Sequence, residues 1–127
     1  MKLRIQGNSL RLRLSQSEVA QFSKTGFVED STQFAPDVKF SYSIESSSSL
    51  PAPLASYQDH WLRVQVPSRQ ATEWFTTDRT GISAEQLVSP GGALSILIEK
   101  DFQCLHGGEQ RDPDAYPNPI EEPTAKR

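Results

Sequence analysis

"RIQGNSLRLRL", Arg4 to Leu14, decides the fold. Apolar and basic residues alternate along it, but the alternation changes phase at Gly7-Asn8. Leu3 and Ile5 hold odd positions, whereas Leu10, Leu12 and Leu14 hold even ones. A period of two is the mark of a strand with one buried face. One continuous strand would need a bulge to absorb the shift; a hairpin turning on Gly7-Asn8 absorbs it without one. Gly-Asn tolerates the positive φ angles of the primed turns that match strand twist. The hairpin sets Gln6 opposite Ser9, Ile5 opposite Leu10, Arg4 opposite Arg11, Leu3 opposite Leu12 and Lys2 opposite Arg13. Its apolar side chains then share one face and its cations the other.

Downstream, "SQSEVAQFSKTG" carries a capping box, because Ser15 and Glu18 are spaced to satisfy backbone donors of a first helical turn. Val19 and Phe22 lie one turn apart, and Gly26 suits the left-handed residue that ends a helix. Strands are expected over Phe27 to Phe34 and Val38 to Glu45, the second alternating cleanly. "SSSSLPAP" reads as low-complexity connection, and residues 46–58 as a flexible link.

After that link the order of signals starts again. "LRVQVPSRQATEWFTTDRTGISAEQL" repeats the strand, helix, Thr-Gly, strand order of "LRLRLSQSEVAQFSKTGFVEDSTQF". Leu62 to Val66 matches Leu10 to Leu14, Trp74 matches Phe22, Thr80-Gly81 matches Thr25-Gly26, and Ile98-Glu99 matches Ile44-Glu45. A spacing of this kind invites a test for duplication. The expectation is one α+β domain over residues 1–103, with 9–45 and 61–100 as internal repeats. Its sheet is mainly antiparallel, strongly twisted or barrel-like, with about seven strands and two helices built from a duplicated β-α-β-β unit. Residues 104–127, rich in Pro, Gly and charge, form a tail with too little apolar surface for a core of its own.

In its bulk numbers the chain is a soluble globular protein. Thirteen Lys and Arg against 16 Asp and Glu leave a net charge of -3, without the basic excess of a general nucleic-acid binder. The single cysteine, Cys104, excludes an internal disulfide. No long apolar run marks a secretion signal or a membrane span, so the default location is cytoplasmic.

The polar face of the expected sheet collects Arg4, Arg11, Arg13, Lys39 and Arg63 with Glu45, Glu85 and Glu99. Like charges opposite one another across a strand pair are destabilising. Solvent screening, internal ion pairs or a bound anion would each compensate. Arg4, Arg11, Arg13, Lys39 and Arg63 are the candidate ligand-binding residues, since guanidinium forks suit phosphate and carboxylate. The favoured function is non-catalytic binding of a small anionic or phosphorylated molecule. The rivals are an interaction module with an internally salt-bridged face, and a divergent phosphohydrolase holding a metal at Glu45, Glu85 and Glu99. No cofactor is called for beyond a divalent cation such as magnesium in that last reading. The oligomeric state is open, a homodimer included.

From "MKLRIQGNSLRLRLSQSEV" through "LIEKDFQCL" to "YPNP", the chain resembles a family of short bacterial proteins of unknown function, which brings no activity with it. In architecture, a duplicated strand-helix-strands unit with alternating Arg, Lys and Glu is similar to the triphosphate tunnel (CYTH) superfamily. That resemblance implies an antiparallel sheet closed into a tunnel, triphosphate held by basic residues and a divalent metal held by acidic ones. The Glu-x-Glu-x-Lys signature of those enzymes is missing: Arg4-Ile5-Gln6 and Arg11-Leu12-Arg13 stand in its place. Metal-assisted hydrolysis needs such oxygen ligands.

Cys104-x-His106 with Glu109, Asp112 and Asp114 lacks the second Cys/His pair of a zinc site, because the other histidine is His60. Trp61, Trp74, Phe75 and Phe102 could offer a stacking platform. Trp74 and Phe75 are adjacent on a helix and cannot both face one core.

Overall fold

The structure, a computed structural model, describes residues 1–101. Eight strands and two helices follow in the order β1 (Lys2–Gln6), β2 (Ser9–Leu14), α1 (Gln16–Thr25), β3 (Phe27–Ala35), β4 (Val38–Ser47), β5 (Leu54–Gln58), β6 (Trp61–Pro67), α2 (Ser68–Thr76), β7 (Gly81–Ser89) and β8 (Gly92–Lys100). This is an α+β fold, but its strands make two four-stranded sheets, ordered β1-β2-β8-β7 and β3-β4-β6-β5, where one sheet of about seven strands was expected. Neither closes into a barrel, and the tunnel implied by the CYTH resemblance is not formed among the described residues. The sheets are mixed: each is two antiparallel hairpins joined at the centre by a parallel pairing, β2 with β8 and β4 with β6.

The first hairpin has the register read from its phase shift, Gln6 opposite Ser9 through Lys2 opposite Arg13. Gly7 takes the turn's positive φ of 55°, a conformation free of penalty only without a Cβ. Ser15 caps α1 with Glu18 in a reciprocal box, and Gly26 ends it at φ 74°. The eighth strand, absent from the expected set, is β5. It lies inside the stretch 46–58 read as a flexible link, which also holds the end of β4. Pro53 and the serine run hide it, since five residues give a short periodic signal. Asp59 and His60 turn the chain from β5 into β6, both at positive φ, as a type I′ turn requires.

The chain therefore runs hairpin, helix, hairpin twice over, and the pairings repeat. Asn8 O accepts from Ser95 N at 3.0 Å and His60 O from Ser41 N at 2.9 Å. Gly26 O accepts from Ser46 N at 2.9 Å and Thr80 O from Lys100 N at 3.0 Å. By these bonds Gly26 matches Thr80, one residue away from the Thr25-Gly26 and Thr80-Gly81 identity that the sequence offers. The matching stretch is also longer than a β-α-β-β unit, because β1 and β5 belong to it.

Apolar faces of both sheets meet the helices in one core: Leu10, Leu12, Leu14, Ile82, Ile96 and Ile98 from the first sheet, Val28, Ile44, Leu62, Val64 and Val66 from the second. Phe22 of α1 and Trp74 of α2 are both buried and meet edge to face at 6.2 Å. Trp74 Nε1 donates to Thr80 O at 3.1 Å, so burial of the indole leaves no orphan donor. Phe75 is half-buried and also meets Phe22 edge to face at 6.2 Å, so both neighbours reach the one core, against the expectation that only one would. Gln86 of β7 ties the two sheets together: its Oε1 accepts from Ala55 N at 2.7 Å and its Nε2 donates to Ala55 O at 2.9 Å. No helix among the described residues is long and apolar enough to cross a membrane.

Candidate anion-binding face

Side chains that alternate with the core residues point away from it. On the first sheet they form three transverse rows, Gln6-Ser9-Ser95-Glu85, Arg4-Arg11-Leu97-Ser83 and Lys2-Arg13-Glu99-Gly81. On the second sheet the corresponding rows, over β5, β6, β4 and β3, are Gln58-Trp61-Ser41-Ser31, Ser56-Arg63-Ser43-Glu29 and Leu54-Gln65-Glu45-Phe27. The single charged face of the sequence reading is thus two faces. Arg4, Arg11, Arg13, Glu85 and Glu99 lie on one sheet; Lys39, Glu45 and Arg63 lie on the other.

The second face is neutralised from within. Arg63 donates Nε to Glu45 Oε2 and Nη2 to Glu45 Oε1, each at 2.9 Å, the two-pronged geometry that suits guanidinium and carboxylate. The Arg63 guanidinium lies 5.0 Å from the Trp61 ring centre, within cation–π range. Trp61 Nε1 donates to Ser43 Oγ, and Ser43 Oγ to Glu45 Oε2, both at 3.1 Å. Trp61 also covers Ser43, which is fully buried although it points outward by register. The hydrogen bonds from Arg63 hold the Glu45 carboxyl below its ordinary value; burial opposes this, and Ser43 assists. Lys39 is exposed near the β3-β4 turn, apart from this network.

The first face is not neutralised in this way. Arg11 Nε and Arg13 Nε approach the same oxygen, Glu99 Oε1, at 3.4 and 3.3 Å. Both Nε atoms are buried, and neither has a hydrogen-bond partner among the described residues. Arg13 lies 3.9 Å from Asp101, whose nearer partner is Lys2 at 2.9 Å. Contact with Lys2 is the main cause that holds the Asp101 carboxyl below its ordinary value, against its desolvation. Arg4, directly across the strand pair from Arg11, donates to Gln6 Oε1 at 3.1 Å and has no carboxylate partner among the described residues. Beside Arg4 and Arg11 is an open depression of about 590 Å³, lined by these two with Gln6, Ser9, Leu10, Ser83, Ala84, Glu85, Ser95, Ile96 and Leu97.

Ser9, in the lining of the depression, holds the register position that Trp61 holds on the other sheet. Nothing in the first hairpin by itself signals that vacancy; it emerges only when Ser9 is aligned with Trp61. The three glutamates are not brought together. Glu45 is engaged with Arg63, Glu99 with Arg11 and Arg13, and Glu85 accepts from Ser95 Oγ at 2.7 Å. No group of three or more His, Cys, Asp or Glu able to hold a metal occurs among the described residues. Cys104, His106, Glu109, Asp112, Asp114 and Phe102 lie outside the described residues, as does the tail 104–127.

The fold and its outer faces define an α+β domain of two four-stranded mixed sheets that presents one paired and one under-neutralised basic surface. The chain belongs to a family described as a family of unknown function (DUF7009), whose model matches residues 1–120. No curated protein matches the sequence, and no solved structure matches it.

Proposed function

We propose that this protein binds a small anionic or phosphorylated molecule, without catalysis, in the depression on the first sheet, with Arg4 and Arg11 as its principal contacts and Arg13 in support. One observation carries this reading: two guanidinium groups compete for a single oxygen of Glu99, with Arg4 alongside, while the matching Arg63 is satisfied by two hydrogen bonds to Glu45. Excess cation next to a hydroxyl-lined hollow is the arrangement an oxyanion completes. In this reading Arg63 and Lys39 leave the binding set. The two halves share one order of elements and pairings, and on this reading the face carrying Trp61 is plugged and the other kept open.

Thermal melting of the full chain with pyrophosphate or tripolyphosphate, with and without magnesium, is the test. A ligand that binds only the native state raises the melting temperature with its concentration by mass action. The expected result is a rise without magnesium that Arg11→Ala removes. No response to either anion would overturn the reading, and a response that requires magnesium would favour a metal-dependent phosphohydrolase.

A further inference from the structure

The depression is bipolar. Arg4 and Arg11 stand at one side, on β1 and β2; Glu85 stands at the other, on the edge strand β7. Glu85 is exposed, accepts from Ser95 Oγ, and has no cation within ion-pair distance among the described residues. A pocket built for a simple polyanion gains nothing from a carboxylate on its rim, because that charge repels the ligand. The repulsion becomes attraction if the ligand carries a protonated amine at its far end.

Between the two poles lie Ser9, Ser95 and Leu97 on the central strands β2 and β8. Arg11 and Glu85 are two strands apart, about 10 Å of backbone spacing. That gap suits a short chain of a few carbons resting on Leu97, with hydroxyls beside it.

We propose, resting on the anion-binding reading, that the ligand is a small zwitterion. Its phosphate or carboxylate end meets Arg4 and Arg11, its ammonium end meets Glu85, and a short aliphatic span joins them. Lengthened anions such as tripolyphosphate bind through one end alone and pay no regard to Glu85 beyond its repulsion. Selectivity then comes from the carboxylate on β7, and general anion affinity from the arginines on β1 and β2.

Isothermal titration of the full chain with 3-aminopropylphosphonate and with propylphosphonate separates the two ends. The amine is expected to tighten binding about threefold to fivefold, the factor that an ion pair with an exposed carboxylate brings. In Glu85→Gln the advantage should vanish, with propylphosphonate binding as well as before or better. Equal affinity of the wild-type protein for both probes overturns the zwitterion while leaving the anion site in place. Binding of neither probe, with no pyrophosphate response, overturns the anion site itself. Retention of the amine's advantage in Glu85→Gln overturns the role of Glu85.

Discussion

Trp61 and Ser9 occupy the same register position on the two sheets, each two residues before an arginine on its strand and opposite a serine, Ser41 or Ser95, on the parallel neighbour. The indole stacks on Arg63 and bonds Ser43; the serine leaves an opening beside Arg11. Ser9→Trp should therefore plug the first face as the second is plugged. The expected outcome is a melting temperature within a few degrees of the wild type, since surface changes shift stability by only about 0.5 kcal/mol. The response to pyrophosphate should be lost. A variant that still responds would place the anion elsewhere.

Glu45 and Arg63 predict a pH dependence. Because the folded-state carboxyl sits below its ordinary value of 4.5, the stabilisation is fully present above that value and is lost as pH falls through the folded one. Glu45→Gln should cost about 1 kcal/mol at neutral pH, given that the pair is partly solvated, and should flatten part of the acid-side loss. Urea melts between pH 7 and pH 3 measure both. Parallel acid limbs in the wild type and the variant would show that the pair contributes nothing.

The hairpin at Gly7-Asn8 was legible because a period of two leaves no freedom: a shift in phase forces a turn or a bulge, and glycine selects the turn. The cap of α1 was equally legible, since Ser15 and Glu18 act through bonds local in sequence. What could not be read was which strands pair across the chain. The parallel contacts of β2 with β8 and β4 with β6 join residues far apart, and alternation says nothing of a strand's neighbour. Hence alternation alone merges Glu45 and Glu99, which match in sequence, into one face, whereas they belong to two. The depression was illegible for the same reason, because the difference between Ser9 and Trp61 beside it is one that only the pairing registers expose.

Phe22 and Trp74 set the cost of separating the helices. Trp74→Ala removes a fully buried indole and its contact with Phe22, and should cost about 3–5 kcal/mol. Trp74→Phe keeps the volume in part but drops the bond to Thr80 O, and should cost less. Thr72→Ala, on the exposed side of the same helix, should stay within about 0.5 kcal/mol. Equilibrium urea unfolding gives all three, and a mild Trp74→Ala would mean that the two helices do not share one core.

The amide of Gln86 is the clearest link between sheets, because it meets both backbone groups of Ala55 on the edge strand β5. Gln86→Leu preserves apolar bulk but leaves the Ala55 N–H and C=O without that partner, at a cost of about 1–3 kcal/mol for a shielded pair. The change should also be local. Hydrogen exchange at the Ala55 amide should quicken more than at Val64 on the neighbouring strand, whose position in the centre of the sheet keeps it protected. If the Ala55 amide exchanges at the same rate in both proteins while global stability falls, Gln86 acts through packing and not through its two hydrogen bonds. If β5 amides from Leu54 to Gln58 all lose protection together, the clamp holds the whole edge strand, and β5 is the element that opens first.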